Sequence, residues 1–262
     1  MRILILGGTT EASLLAKSVA TDARFEPILS LAGRTRNPVL PPIPYRIGGF
    51  GGPEGLADYL RKTATSIVID ATHPFAARIS DNAVQAARLA GVPLLAINRP
   101  EWVAGSGDRW TMLPDLSAAA DALGKTPKRV LLTVGRQELA PFQTRSQHYY
   151  VVRSVDAPDA AFLPFSCTVI AARGPFLEAD ERQLLMTHKI EVIIAKNAGG
   201  SATYAKLAAA RLLGIEVLMV CRPSVPQRDT VESVPAALDW LVNALVRWHK
   251  AHDGSPAACL GV

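Results

Sequence analysis

The chain has 262 residues, of which 49% are hydrophobic and 19% charged, and its formal net charge is +5. This length and composition predict one large globular domain or two of ordinary size, and they exclude an intrinsically disordered chain. The basic residues are scattered, with no Lys/Arg-rich run and no nucleic-acid-binding motif, so the positive charge favours a small anionic ligand over DNA or RNA.

The cysteines and the apolar segments indicate the cellular compartment of the protein. Cys167, Cys221 and Cys259 are odd in number, far apart and without C-x-x-C spacing, which is typical of a reducing compartment and argues against a disulfide framework or a metal cluster. The first apolar run breaks at Gly7, unlike a signal peptide, and no apolar stretch reaches the roughly 18 residues of a membrane span. We expect a cytoplasmic protein with no metal site and no membrane or nucleic-acid partner.

The chain opens with a strand near 2–6 that passes through two glycines into a helix, in the sequence ILILGGTTEA. Such a turn can bind a phosphate, because glycine lets the backbone approach the anion and the first helical N–H groups point at it. Against G-x-G-x-x-G/A the match is Gly7, Thr9 and Ala12, with threonine in place of the middle glycine. By itself the motif fits an ordinary strand-to-helix turn equally well.

The second strand, near 27–32, ends without an acidic residue. An NAD site usually has Asp or Glu there to accept a hydrogen bond from the ribose 2′-hydroxyl. Here Arg34 follows instead, and its planar guanidinium suits a phosphate. The pattern favours NADP(H) over NAD, the alternative being that Arg34 is a solvated loop charge.

The remaining pattern alternates strands and helices. A Pro- and Gly-rich segment at 37–53 predicts an irregular loop over the cofactor. In the first half we expect a helix near 54–63, a strand near 66–70, a helix at 76–90 and a strand in VPLLAIN. After a crossover at 99–127 with a short helix near 115–123, further strands are expected in RVLLTVG, TVIAARG, VIIAKNAGG and VLMVCRP, with helices near 178–188, 201–213 and 233–249.

Apolar strands joined by helices predict an α/β fold with parallel sheets covered on both faces. We expect two Rossmann-like lobes with a cleft between them. The predicted domains are an NADP-binding lobe at 1–125, a substrate-binding lobe at 126–250, and a flexible tail at 251–262.

In open parallel sheets, ligands bind beyond the carboxyl ends of the strands. In the first lobe, one such end carries Asp70 followed by Ala71, Thr72 and His73. His73 precedes a proline and can line a nicotinamide pocket or act as an acid, although a lone histidine is more often structural.

Each of four predicted strands in the second lobe is followed in the sequence by a positively charged residue. These residues are Arg136, Arg173, Lys196 and Arg222, and four cations at one edge suit a substrate with several carboxylates. The alternative is that some of them pair with local acids such as Glu138 or Glu178. Lys196 can hold a substrate carboxylate or, if partly desolvated, deliver a proton, with anchoring the favoured role.

Several motifs together resemble the precorrin-6A reductases of cobalamin biosynthesis. They are ILGGTTEA at 5–12, SLAGRT at 30–35, GGFGG at 48–52, DATHPFA at 70–76, NRP at 98–100, TVGRQEL at 133–139, ARGPF at 172–176 and KNAGG at 196–200. The resemblance implies NADPH-dependent reduction of one double bond in the precorrin-6A macrocycle, giving precorrin-6B. A sister branch acts on the cobalt-bearing substrate, and the motifs do not separate the two.

The resemblance also implies site residues. The cofactor-binding set is Gly7, Gly8, Thr9, Thr10, Glu11, Ala32, Arg34, Ala71, Thr72 and His73. The substrate-binding set is Arg136, Arg173, Lys196, Asn197, Gly199 and Gly200. Lys196 and His73 are the catalytic candidates, with water or the substrate itself as alternative proton donors, and the implied partners are the tetrapyrrole and, transiently, neighbouring enzymes of the pathway.

Two other functions stay open at this point. One is an NADP-dependent reductase of a different polycarboxylate, and the other is a non-catalytic NADP-binding sensor that grips a partner with its second lobe. A sensor needs a patterned docking surface, which the sequence does not reveal.

Overall fold

The computed structural model describes residues 1–35, 38 and 40–252. This part of the chain contains twelve strands and eight α-helices, which divide into two units. Within the described residues the first unit takes in 1–34, 40–99 and 225–252, and the second takes in Pro100–Ser224 with residues 35 and 38. The predicted α/β fold with two parallel sheets is confirmed.

The strands are β1 (Arg2–Leu6), β2 (Glu26–Leu31), β3 (Tyr45–Ile47), β4 (Ile67–Asp70), β5 (Leu94–Ile97), β6 (Trp110–Leu113), β7 (Arg129–Leu132), β8 (Tyr149–Ser154), β9 (Cys167–Ala171), β10 (Val192–Lys196), β11 (Glu216–Val220) and β12 (Asp229–Val231). The helices are α1 (Thr10–Val19), α2 (Pro53–Lys62), α3 (Ala77–Ala90), α4 (Leu116–Ala122), α5 (Ala140–Gln143), α6 (Glu178–Thr187), α7 (Ala205–Leu213) and α8 (Val234–His252). A short 3₁₀ turn covers Ala160–Phe162.

The first unit has a parallel sheet in the order β12-β5-β4-β1-β2-β3. From β1 the chain builds outward through β2 and β3, then returns to the other side of β1 at β4. Leu6 pairs with Ser30 on one side and with Asp70 on the other, so these strands end level with one another. The order reverses between β1 and β4, and the loops after these two strands flank the point where doubly wound sheets bind ligands.

The second unit repeats this arrangement, with a parallel sheet in the order β6-β11-β10-β7-β8-β9. Here the reversal lies between β7 and β10, whose residues Leu132 and Ile194 are paired. The loops after β7 and β10 therefore hold the same position in this sheet that the loops after β1 and β4 hold in the first.

Alternation along β1 explains how both faces of the first sheet are covered. Ile3 and Ile5 face a core that includes residues of α1 and α8, whereas Leu4 and Leu6 face residues of α2 and α3. Successive strand residues point to opposite faces, so a strand covered on both sides is apolar throughout. Each of these side chains is at most 3% exposed, and burying one contributes about 1.5–3 kcal/mol.

The domain boundaries differ from the prediction. The units divide near residues 99 and 224, because β12 pairs with β5 and α8 packs its residues Ala237 and Leu241 into the core of the first unit. The last helix thus belongs to the first unit rather than to a second lobe at 126–250. α8 ends at His252, and residues 253–262 of the predicted tail lie outside the described residues.

Four strands were missed by sequence reasoning, namely β3, β6, β8 and β12. β3 lies inside the segment predicted to be irregular, where Arg46 donates hydrogen bonds to the carbonyls of Gly48 and Gly49 and stacks on the Phe50 ring at 3.8 Å. β3, β6 and β12 are short edge strands, each with one or more exposed residues, so they lack an apolar pattern. The other predicted elements lie within a few residues of those observed.

In the part of the chain that the structure describes, no helix combines the length and apolarity needed to cross a bilayer. Over the same residues, no group of three or more His, Cys, Asp or Glu side chains is arranged to hold a metal ion. Cys167 and Cys221 are both free thiols.

Candidate active site

The turn after β1 brings the backbone close to its neighbours. A Cβ on Gly7 would lie 2.6 Å from Leu29 Cδ1 and 3.3 Å from Ala12 Cβ, so a side chain there would separate β1, β2 and α1. Gly8 is exposed and has a φ of +117°, a conformation that favours glycine. The chain then enters α1 at Thr10, with Gly8 and Thr10 open to solvent in front of the first helical turn.

Thr9 joins the two loops at the reversal point of the first sheet. It is the N-cap of α1, and its hydroxyl accepts a hydrogen bond from Ala12 N–H at 3.1 Å. The same hydroxyl donates to the carbonyl of Ala71, in the loop after β4, at 2.7 Å. The threonine in place of a middle glycine therefore holds the helix start and the neighbouring loop together.

The loop after β4 is built on a buried carboxylate. Asp70 is 2% exposed and accepts hydrogen bonds from the Thr72 hydroxyl and the Ser80 hydroxyl, each at 2.7 Å. Arg228 lies 3.5 Å away and completes the ion pair. These contacts fix the loop that carries the predicted residues Ala71, Thr72 and His73.

His73 is partly buried, and its ring lies 5.8 Å from that of Phe75. Its Nδ1 accepts a hydrogen bond from Phe75 N–H at 3.2 Å. In the neutral ring this arrangement leaves the proton on Nε2. The contact supports a role in shaping the loop, and a catalytic role for His73 stays a prediction.

Glu11 forms an ion pair that sequence reasoning missed. Its Oε2 lies 2.5 Å from Nη1 of Arg99, and the two side chains are only 22% and 16% exposed. Arg99 follows β5 at the same edge of the sheet. Its position directly after the predicted strand VPLLAIN is the feature of the sequence that could have identified it as a residue near the start of α1. The pair leaves Glu11 neutralised beside the start of α1, so it does not oppose an anion bound there.

Ala32 and Arg34 lie just after β2 and are exposed. The Arg34 side chain makes no hydrogen bond or ion pair with any other residue that the structure describes. Arg34 is thus an exposed residue after the second strand of the first sheet, and its binding of a 2′-phosphate stays a prediction.

In the second unit, Lys196 is paired with Glu138. The Lys196 ammonium lies 2.8 Å from Oε1 and 2.6 Å from Oε2, and the Glu138 carboxylate also accepts from Gly135 N–H at 2.8 Å. Glu138 comes from the loop after β7 and Lys196 ends β10, so the pair spans the reversal point of the second sheet. This confirms the alternative that a local acid pairs with one of the four cations.

Asn197 and Arg222 hold their own loop together. The Asn197 side chain is 1% exposed; its Oδ1 accepts from Trp102 N–H at 2.8 Å, and its Nδ2 donates to the Trp102 carbonyl and to Glu101, each at 3.0 Å. Arg222 donates to the carbonyls of Asn197 at 2.9 Å and Ala198 at 3.1 Å. The geometry therefore does not support the predicted contact between the Asn197 side chain and a substrate.

The glycines after Asn197 are required by the backbone. Gly199 and Gly200 have φ values of +68° and +76°. A Cβ on Gly199 would lie 2.1 Å from the Pro100 carbonyl oxygen, while the Gly200 carbonyl accepts from the Trp102 indole N–H at 2.7 Å. The loop is thus held in one shape from both sides before α7 begins.

The four predicted cations do follow parallel strands and lie at one edge of the second sheet, after β7, β9, β10 and β11. The strands are not consecutive, because β8 lies between β7 and β9 in the chain and carries Arg153. Arg173 is exposed, and Arg136 is partly buried with no hydrogen bond or ion pair to another described residue. Contact of Arg136, Arg173 and Lys196 with an anionic substrate stays a prediction.

A buried charged cluster lies beneath this edge. Arg153 of β8 pairs with Glu181 of α6, and the two side chains are 5% and 2% exposed. The Lys206 ammonium donates to the Thr203 carbonyl at 2.6 Å and lies 4.9 Å from the Trp102 ring centre. Burial, with the nearby Arg153 charge, lowers the pKa of Lys206 to about 7, although Glu181 opposes the shift.

The chain is similar to known proteins over most of its length. Residues 2–242 match the family model described as "Precorrin-6x reductase CbiJ/CobK". A Sinorhizobium sp protein named precorrin-6A reductase is 51% identical to this chain, and the match covers 94% of this chain and 93% of that protein. A Rhodobacter capsulatus protein of the same name is 49% identical, and the match covers 92% of this chain and 96% of that protein. A solved structure titled "CobK precorrin-6A reductase" matches with a TM-score of 0.89 and 49% identity, over 93% of this chain and 97% of that one. A protein of Priestia megaterium named cobalt-precorrin-6A reductase is 27% identical, over 92% of this chain and 98% of that protein.

Proposed function

The chain belongs to the precorrin-6x reductase family, and on that premise we propose that it reduces one double bond of precorrin-6A, with NADPH as the reductant, to give precorrin-6B. The observation that carries this proposal is the family match, which extends from residue 2 to residue 242 and so includes both units. The match covers every predicted site residue, from Gly7 to Gly200. The corresponding reaction class is the reduction of a carbon–carbon double bond in cobalamin biosynthesis.

The first unit has features that fit a dinucleotide phosphate. Gly7 keeps side-chain atoms away from the start of α1, Gly8 takes a backbone conformation suited to glycine, and Thr9 caps the helix. A helix N-terminus reached through such a turn binds anions through its free N–H groups. We assign the cofactor diphosphate to this turn and the 2′-phosphate to Arg34. Ala71, Thr72 and His73 are assigned to the nicotinamide side.

When bound, NADPH supplies a hydride, which carries the electron pair of the reduction. The protein's own residues supply binding and orientation. Thr9 and Asp70 hold the two loops at the reversal point in one arrangement, and a loop fixed in advance spends less binding energy on ordering itself around the ligand.

The second unit offers cations to a carboxylate-bearing macrocycle. We assign Arg136, Arg173 and Lys196 to carboxylates of the substrate, together with the backbone at Gly199 and Gly200. Asn197 is left out of the contact set, since its side chain is buried and used internally. Its contribution, shared with Arg222, is to hold the loop that carries the glycines.

We further propose that the substrate is metal-free. The Sinorhizobium and Rhodobacter proteins named precorrin-6A reductase are 51% and 49% identical to this chain, whereas the Priestia megaterium protein named cobalt-precorrin-6A reductase is 27% identical. Competition between precorrin-6A and its cobalt complex for the purified protein tests this point. A preference for the cobalt complex contradicts it.

The main test follows NADPH oxidation by absorbance with precorrin-6A supplied and withheld. Oxidation that depends on the macrocycle supports the proposal. Tight NADPH binding with no oxidation on any tetrapyrrole contradicts it and favours a sensor. Cytoplasmic location, the predicted cleft between the lobes and contact with neighbouring pathway enzymes stay predictions.

A further inference from the structure

Glu138 is a carboxylate at the carboxyl edge of the second sheet, where the strands also lead into Arg136, Arg173 and Lys196. The proposed substrate binds through its own carboxylates, and a like charge at that place weakens rather than strengthens such binding. Substrate affinity therefore does not explain why a glutamate occupies position 138. Its position suggests that it acts on Lys196.

The geometry fixes the Lys196 ammonium tightly. Both carboxylate oxygens of Glu138 lie within hydrogen-bond distance, at 2.6 and 2.8 Å. The carboxylate is itself anchored by Gly135 N–H at 2.8 Å. The lysine side chain is 13% exposed and that of the glutamate 30%, so the charged amine is removed from most solvent while its charge remains paired.

We propose that Glu138 is a positioning residue that holds the Lys196 ammonium as the proton donor of the reduction. This inference rests on the proposed function. Hydride addition to one carbon of the double bond moves the π electron pair to the neighbouring carbon, or through conjugation to a ring nitrogen. That atom takes a proton from Lys196 Nζ: one N–H bond breaks, one bond to hydrogen forms, and a proton from water later restores the ammonium.

Substitution of Lys196 by arginine distinguishes a proton donor from a residue that only anchors the substrate. Arginine keeps the positive charge and the hydrogen bonds of lysine, but it does not release a proton at neutral pH. Lys196→Arg therefore preserves anchoring and removes donation. Glu138→Gln keeps the side-chain shape and one acceptor oxygen for Lys196 while it removes the charge that fixes the ammonium.

The test measures kcat and KM with precorrin-6A and NADPH, and precorrin-6A binding without cofactor by fluorescence quenching. We expect Lys196→Arg to lower kcat by about 100-fold or more, as for loss of a general acid, with the substrate Kd changed by less than about threefold. Glu138→Gln should lower kcat by about tenfold without raising KM, and Glu138→Asp should recover part of the loss in kcat. The matched controls are Lys125→Arg and Glu216→Gln, which alter the same residue types away from this edge.

Thermal melting of each variant separates a folding defect from a catalytic one. If Glu138→Gln melts early, the comparison is made with Glu138→Asp at a temperature where both are folded. Near-normal kcat in Lys196→Arg, or a loss in Glu138→Gln that appears in KM alone, overturns the proposal while the proposed function stands. Wild-type protein that fails to oxidise NADPH on precorrin-6A overturns both.

Discussion

The Thr9 hydroxyl donates a hydrogen bond to the carbonyl oxygen of Ala71 at 2.7 Å, across the point where the strand order of the first sheet reverses. The same oxygen accepts from Ala12 N–H and so caps α1. One small side chain thus couples the turn proposed to bind the diphosphate to the loop proposed to lie by the nicotinamide.

Thr9→Val tests that coupling, because valine has nearly the shape of threonine without the hydroxyl. Loss of an N-cap costs about 1 kcal/mol, and the bond to Ala71 is lost as well. We expect NADPH to bind about tenfold more weakly, which corresponds to about 1.4 kcal/mol. Thr9→Ser keeps both hydrogen bonds and should bind NADPH almost normally; equal affinities for the two variants, measured by calorimetry, would remove Thr9 from the site.

Arg34→Ala tests the choice between NADPH and NADH. The exposed guanidinium can pair with a 2′-phosphate, which NADH lacks, and charge-assisted hydrogen bonds are worth about 1.5–3 kcal/mol. We expect the KM for NADPH to rise by at least tenfold, with the KM for NADH almost unchanged. Arg24→Ala, which removes an exposed arginine paired with Asp22, is the control. A parallel rise for both cofactors in Arg34→Ala would contradict the assignment.

Gly199→Ala tests the shape of the loop after β10. The new Cβ would lie 2.1 Å from the Pro100 carbonyl oxygen, at a φ of +68° that disfavours alanine. The loop must shift, and we expect precorrin-6A to bind at least tenfold more weakly while NADPH affinity stays within about twofold. Gly214→Ala is the control, since its φ of +63° is similar but no atom lies within 4 Å of the added Cβ. Normal substrate binding in Gly199→Ala would show that this loop does not contact the macrocycle.

The buried amine of Lys206 should make the free energy of unfolding depend on pH. Its pKa is about 7 in the folded protein, against the ordinary 10.5, so between these values the unfolded chain binds more protons than the folded one. The free energy of unfolding should therefore rise with pH across this window, by at most about 1.4 kcal/mol per unit from this group. Below about pH 7 the lysine is charged in both states, and its full penalty is present without a slope.

Lys206→Met removes the amine and keeps a long flexible side chain. Urea unfolding at pH 7, 8 and 9 should show a smaller rise of stability with pH in this variant than in the wild type. Lys189→Met, which alters a lysine with no resolved contact to the cluster, should leave the slope unchanged. A wild-type slope in Lys206→Met would mean that the buried amine keeps its charge over the whole range.

Sequence reasoning reached the fold class and the carboxyl-edge positions, because apolar strands and their glycine exits are local patterns. Gly7, Thr9 and Lys196 fall where those patterns predict. Pairing across the sheet is not local, so the partnership of Lys196 with Glu138 was only an alternative and that of Glu11 with Arg99 was missed.

Asn197 is a second case in which a contact between distant segments could not be predicted from the local sequence. A polar residue after a buried strand looks like a ligand contact in sequence, and only the approach of Trp102 from a distant segment shows that its amide is already used. The unit boundary was misplaced for a related reason, since β12 adds only three residues, none of them fully buried, to the edge of the first sheet.

The central claim is that this protein transfers a hydride from NADPH to the precorrin-6A macrocycle. The most direct measurement uses NADPH carrying deuterium at the transferable position of the nicotinamide, with mass spectrometry of the tetrapyrrole after a single turnover. We expect the product to gain one deuterium from the cofactor and one hydrogen from solvent. A macrocycle that stays unreduced, or that is reduced without taking up the label, would contradict the account.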